Sequence, residues 1–297
     1  MSDLLDFAKT LAVEAGAILK ERFSKDVAIQ MKGAIDLVTE ADHAAEEFLK
    51  LRIRESAFGH IPILAEESGS SGAAGQSERW VLDPLDGTVN YAHGIPHFCV
   101  LVGYEVRDEE GFWQTIAGAT YAPMVDELYW AEKGGGAFLN GDPIGVSSKN
   151  CLLDTVLATG FGYDRLFESR DNHAEFCRLN LLTRGVRRFG AAGLDLAYVA
   201  SGRMDGFWEY ELNRWDVSPG LLLLVEAGGA YEFISEPVGV KLGLVASGQS
   251  LLPTLREAIE SGGKFPPNSR EGLLRFLPVE QQNRLRALLD ASPGTPG

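Results

Sequence analysis

The chain has 297 residues, enough at roughly 150 per domain for about two domains or one large α/β unit. With 45% apolar and 23% charged residues it reads as a folded globular protein, which excludes a disordered chain and a disulfide scaffold. A net charge of −15 repels phosphodiester backbones and anionic lipid heads, which disfavours nucleic acid and membrane partners. Cys99, Cys151 and Cys177 form no CxxC pair, so neither a disulfide framework nor a zinc ribbon is expected and the thiols read as reduced.

Leu4, Ala8, Leu11, Ala15 and Ile18 recur at helical spacing and predict an opening helix. Asp3 and Asp6 stand before its apolar positions, which argues against a signal peptide. Nowhere does an apolar run approach the ~18 residues of a membrane span, so the expected location is the cytoplasm. The segment MKGAIDLV reads as a loop, and a second helix is expected from Thr39, where acids crowd the first turn. From Ile61 the texture turns to short β-rich runs: IPILA, RWVLD, FCVLVGYEV, WQTIAGATYAP and ELYWA. The Gly- and Ser-rich stretch from Ser68 to Glu78 reads as a mobile loop between acidic strand ends. Helical patterns return in ESRDNHAEFCRLNLL and GLDLAYVASG, followed by the strand-like DGFWEYEL and an apolar segment from Val217 to Ala227.

An acidic protein can bind an anionic substrate when its carboxylates first gather divalent cations, which invert the local charge. Three acid clusters adjoin apolar runs: Glu66 and Glu67 in LAEESG, Asp83 and Asp86 in WVLDPLDGT, and Asp216 in RWDVSPG. Pro84 cannot continue a strand ladder, so the strand is expected to end at Asp83. Asp83, Asp86 and the Leu85 carbonyl then share one turn as hard oxygen donors suited to Mg²⁺. No histidine or cysteine lies in these clusters, which disfavours zinc or copper, and no GxxxxGK[ST] loop points to an NTPase.

MKGAIDLVTEAD, LAEES, WVLDPLDGTVNYAHGIP, KGGGAFLNGDPI and WDVSPGLLLLVEAGG, in that order, resemble the inositol monophosphatase family of lithium-sensitive, Mg²⁺-dependent phosphatases. Agreement runs from about Leu4 to about Ser247. The resemblance implies a layered αβαβα fold of the α+β class, two or three Mg²⁺ ions, a homodimer and a small phosphate monoester as substrate. It implies metal ligands at Glu66, Asp83, the Leu85 carbonyl, Asp86 and Asp216, with Glu67 behind them. Thr88 and Asp42 would position the attacking water, with Glu66 also counted in the catalytic group. Substrate contacts would come from Asp86, the Gly87 and Thr88 amides, Ala192, Glu209 and Asp216. The chain departs from the family pattern at Ala191, where Ser or Thr is common, at Gly162, which replaces a frequent Pro, and at Pro219, placed in the first turn of its helix. The expected body spans 1–250, with two subdomains meeting near 150, and 251–297 reads as a helical tail beyond the resemblance.

The implied chemistry is in-line attack by a metal-activated water on inositol monophosphate or a similar polyol or sugar phosphate, with no phosphoenzyme. Fructose bisphosphate, histidinol phosphate and 3′-phosphoadenosine nucleotides are rival substrates. A reading of another class is a regulatory partner in RNA polymerase antitermination, for which RLNLLTRGVRRFG, with Arg178, Arg184, Arg187 and Arg188, is the candidate basic patch. Taken singly, Asp42 and Asp216 could be ordinary helix-capping residues, and His93 and His97 read as half-buried packing side chains.

Overall fold

The computed structural model of the chain describes residues 2–23, 29–31, 37–71, 76–162, 172–238 and 241–261, with 279, 282 and 283. Helix α1 (Asp3–Arg22) opens where the Ser2 hydroxyl accepts the Leu5 N–H, with Asp3 and Asp6 in the first turn and Lys20 and Arg22 in the last. Both charge placements complement the helix dipole. Its buried stripe runs through Leu5, Ala8, Leu11, Ala12, Ala15 and Leu19. Strands β1 (Ile29–Met31) and β2 (Leu37–Thr39) then pair antiparallel, so both ends of the segment read as a loop are strand. Helix α2 (Glu40–Arg54) begins after Thr39, as its acids predict.

The first sheet has eight strands: β3 (Ile63–Ala65), β4 (Gly69–Ser71), β5 (Glu78–Asp86), β6 (Cys99–Arg107), β7 (Trp113–Ala122), β8 (Glu127–Glu132), β9 (Gly136–Leu139) and β10 (Asp142–Pro143). Their spatial order is β10-β9-β8-β7-β6-β5-β3-β4. Part of the stretch read as a mobile loop is therefore an edge strand, β4, paired antiparallel with β3, while 72–75 lie outside the described residues. Nor does β5 end at Asp83. Its ladder with β6 runs to Asp83↔Leu101, slips, and resumes at Asp86↔Cys99. Pro84 and Leu85 fall in that slip, where a missing N–H costs no ladder bond. The short helix α3 (Thr88–Ala92) follows Gly87, whose φ of +97° is left-handed backbone that favours glycine.

In the second half come β11 (Val156–Thr159), α4 (His173–Leu182), β12 (Gly185–Arg187), α5 (Ala192–Ala200), β13 (Gly206–Leu212), α6 (Arg214–Glu226), β14 (Gly229–Val238), β15 (Lys241–Gly248) and α7 (Leu252–Glu260). The strands form a mixed sheet ordered β12-β11-β13-β15-β14. Helices α1 and α2 cover the outer face of the first sheet, α5 and α6 fill the space between the sheets, and α4 and α7 cover the second sheet. The result is the layered α+β architecture, αβαβα, that the resemblance implies. Leu252, Leu255, Ala258 and Ile259 of α7 are buried with Trp208 and Val245, so this helix packs into the second sheet's core. Beyond α7, the rest of the segment read as a helical tail falls outside the described residues, apart from 261, 279, 282 and 283. No helix among the described residues is long and apolar enough to cross a membrane.

Helix α6 lies unusually close to the first sheet. Gly103 on β6 and Gly118 on β7 are register partners. A Cβ on Gly103 would come within 2.7 Å of Ser218 Oγ, and one on Gly118 within 2.9 Å of Pro219 Cβ. These two glycines form a notch into which α6 sinks. Pro219 is the sixth residue of α6, not a first-turn residue as expected. Its missing N–H leaves the Trp215 carbonyl without its usual i→i−4 donor, and the ring spends its bulk against Gly118 instead.

Candidate metal and phosphate site

The slip in β5 puts Asp83 and Asp86 on one short turn, and Asp83 folds back to accept the Leu85 N–H at 3.0 Å. Its other oxygen has no hydrogen bond among the described residues. Asp86 reaches across 107 residues of sequence to accept the Gly193 N–H at 2.7 Å. Ala191, at the N-cap of α5, has no side-chain acceptor, so Asp86 supplies the cap that a Ser or Thr there would provide. Gly193 permits the approach: a Cβ would lie 2.5 Å from Leu101 and 3.1 Å from Asp86 Oδ2.

Asp216 is the third residue of α6, and Asn213 is the N-cap. Asp216 Oδ2 accepts the Asn213 N–H at 2.6 Å, which closes the first turn. The capping reading of Asp216 thus holds in a shifted form. Asp42 behaves likewise: its Oδ2 accepts the Thr39 N–H at 2.9 Å and the Thr39 hydroxyl at 2.5 Å. Its Oδ1 lies 3.0 Å from the Thr88 hydroxyl, which is also 3.0 Å from the Leu85 carbonyl oxygen. One carboxylate therefore caps a helix and holds a hydroxyl at the edge of the acid cluster.

Glu66, Asp83, Leu85, Asp86, Gly87, Thr88, Ala192, Glu209 and Asp216 line a single cleft of about 110 Å³. Glu67 does not line it; its N–H donates to Glu46 Oε2 at 2.8 Å behind the wall. The cleft also takes in Gly160, Arg188, Glu211, Asn213 and Lys241, to which sequence reasoning assigned no role in the site. A Cβ on Gly160 would sit 2.1 Å from the Glu209 carboxylate, so the glycine in ATGFG signals a close approach that could have been anticipated. Lys241 carries no such signal, because only the pairing of β13 with β15 brings it alongside.

Burial raises the Asp83 carboxyl well above the usual range, and Glu66, Asp86 and Asp216 push it further. Asp86 rises to about 6 through burial, against the N–H groups at the start of α5. Asp216 rises to about 7 through burial, with Asp86 adding to it. Glu209 reaches about 8 through burial and the charge of Asp216, opposed by Arg188 and Lys241. Asp86, Glu209 and Asp216 stay partly open to the cleft while protein surrounds their remaining sides. Among the described residues no three acidic, histidine or cysteine side chains form a ready-made metal cage. The donor set nonetheless fits hard divalent cations, because several hard oxygens raised by burial and mutual repulsion gain most from bound positive charge.

Of the arginines read as a basic patch, Arg184, Arg187 and Arg188 are exposed. Arg178 is buried and donates to the Ala258 carbonyl, Arg184 pairs with Asp154, Arg187 bonds the Val186 carbonyl, and Arg188 lines the cleft. His97 is half-buried and stacks on Phe189 as expected, whereas His93 is exposed. None of the three cysteines forms a disulfide, and Cys177 is exposed.

The model of the inositol monophosphatase family matches residues 1–263. An inositol-1-monophosphatase from Synechocystis is 43% identical over 226 residues, covering 76% of this chain and 77% of that protein. A Pseudomonas aeruginosa protein named Nus factor SuhB is 39% identical over 237 residues, covering 77% and 84%. The solved inositol monophosphatase from Anabaena superposes with a TM-score of 0.76 at 40% identity, covering 90% of this chain and 97% of that one. Match, fold and the order of the acid motifs agree, and the chain belongs to the inositol monophosphatase family of phosphatases.

Proposed function

We propose that the chain hydrolyses inositol monophosphate or a similar small polyol or sugar phosphate, with Mg²⁺ ions held by Glu66, Asp83, the Leu85 carbonyl, Asp86 and Asp216. The observation that carries this reading is the convergence of these donors, drawn from β5, α6 and the turn after β3, on one small cleft. Such ions, when bound, neutralise phosphoryl oxygens and make a water acidic enough to attack near neutral pH. Thr88 donates its hydroxyl hydrogen to Asp42, which leaves its oxygen free to accept a hydrogen from the attacking water and so orient it. The Gly87 and Thr88 amides, at the start of α3 where no intrahelical acceptor exists, donate to the phosphate. Glu209 and Ala192 contact the polyol, with Glu209 accepting from its hydroxyls. No side chain forms a covalent intermediate. A homodimer belongs to this reading by family resemblance, and sedimentation tests it.

A phosphate-release panel in Mg²⁺ against inositol monophosphate, fructose bisphosphate, histidinol phosphate and a 3′-phosphoadenosine nucleotide tests the substrate. Inositol monophosphate is expected to give the highest kcat/KM. Negligible turnover of every ester would overturn the reading. The alternative antitermination role rests on the name of the Pseudomonas relative and on the exposed Arg184, Arg187 and Arg188.

A further inference from the structure

Glu105 lies on β6 outside the cleft and is fully buried. Its Oε2 accepts Nε and Nη2 of Arg79 at 2.9 and 2.7 Å. Its Oε1 accepts Arg214 Nε at 2.6 Å and the Ser218 hydroxyl at 2.8 Å. Two features give this cluster a direction. Arg214 and Ser218 sit two residues to either side of Asp216, so Glu105 grips the helical turn that presents that carboxylate. Arg79 is the register partner of Glu105 and lies on β5 four residues before Asp83. The same carboxylate therefore ties the strand that carries Asp83 and Asp86 to the helix that carries Asp216.

The surroundings make this link stiff. Arg214 Nη2 also donates to the Trp113 carbonyl at 3.0 Å, and the Arg79 guanidinium lies over the Trp113 ring, 4.0 Å from its centroid. Ser218 fills the notch over Gly103. A shift of α6 along the sheet would break both contacts of Arg214, with Glu105 and with Trp113, and move Ser218 off Gly103.

We propose that Glu105 is a positioning residue that sets the separation between Asp216 and the Asp83–Asp86 pair, acting through Arg214 and Ser218, and thereby sets affinity for divalent cations. The proposal rests on the reading of the cleft as a cation site. Groups that orient metal-binding side chains from behind typically change affinity by 10- to 100-fold when altered.

The test is a calorimetric Mg²⁺ titration of the full chain without substrate, for wild type, Glu105→Gln, Ser218→Ala and Asp216→Asn, with circular dichroism and Tm recorded for each. Glu105→Gln keeps the shape and removes the charge that holds both arginines. Its Mg²⁺ affinity is expected to fall about 10-fold, with a smaller fall for Ser218→Ala. A role confined to stability would lower Tm and leave affinity unchanged, and folded Glu105→Gln with wild-type affinity overturns the proposal. If Glu105→Gln does not fold, Ser218→Ala decides by the same criterion. If Asp216→Asn binds Mg²⁺ as wild type does, the cation reading itself fails and this proposal falls with it.

Discussion

The Thr88 hydroxyl lies 3.0 Å from Asp42 Oδ1 across 46 residues of sequence, while the other oxygen of Asp42 closes the first turn of α2 at Thr39. Cap and cleft share one carboxylate, yet different partners serve them, so the two roles can be separated. Thr88→Ala is expected to lower kcat by about 10² to 10⁴, with Thr88→Ser largely restoring it. Thr39→Ala should instead cost about 1 kcal/mol of stability while activity at saturating Mg²⁺ persists. Steady-state phosphate release and urea unfolding read the two effects, and unchanged kcat in Thr88→Ala would make that hydroxyl structural only.

Asp83→Asn and Asp216→Asn each remove one negative charge from a shared cluster. Each is expected to weaken cation binding and turnover, with losses in the double variant well short of their sum in ΔΔG‡, because the carboxylates act as a unit. Excess chelator should abolish activity and Li⁺ should inhibit it. Strictly additive losses would argue for independent roles, and full turnover in chelator would remove cations from the reaction.

Stability without cations should depend on pH in the sense opposite to that of salt-bridged carboxylates. Folding raises Asp86 to about 6, Asp216 to about 7 and Glu209 to about 8, against unfolded values of about 4. The folded chain therefore binds more protons than the unfolded chain across that window. The stability these groups contribute is fully present below the unfolded values and is lost as pH rises through the folded ones. Thermal melts in chelator should show Tm falling from pH 5 to pH 8.5, and added Mg²⁺ should raise Tm more at the higher pH. A Tm that climbs over that interval in chelator would contradict the assignment.

Gly118→Ala places a methyl 2.9 Å from Pro219 Cβ and 3.1 Å from its Cα. Neither atom belongs to a flexible side-chain end, so α6 must lift from the sheet. The expected cost is about 1–3 kcal/mol, measured by denaturant unfolding. A neutral substitution would show that the notch has slack.

The local part of this protein was legible in its residues. The α1 stripe, the acid-rich start of α2 and the β-rich runs follow from short-range periodicity and capping chemistry, and each forms the expected element. DPLDGT confines Asp83, Leu85 and Asp86 to four consecutive positions, so they share a turn in any fold that keeps the motif. Where a local rule met a lateral partner, the partner prevailed: Pro84 breaks a lone strand, but β6 resumes the ladder at Cys99 and carries β5 on to Asp86.

Only the tertiary structure joined the pieces. Asp86 caps α5 from 107 residues away, Glu105 holds the turn that presents Asp216, and Arg188 and Lys241 reach the cleft from separate segments. No periodicity records such contacts, because they depend on which strands become neighbours and how closely α6 approaches the sheet. That approach is decided by two missing Cβ atoms, at Gly103 and Gly118, which lie 15 residues apart and act together only once β6 and β7 have paired.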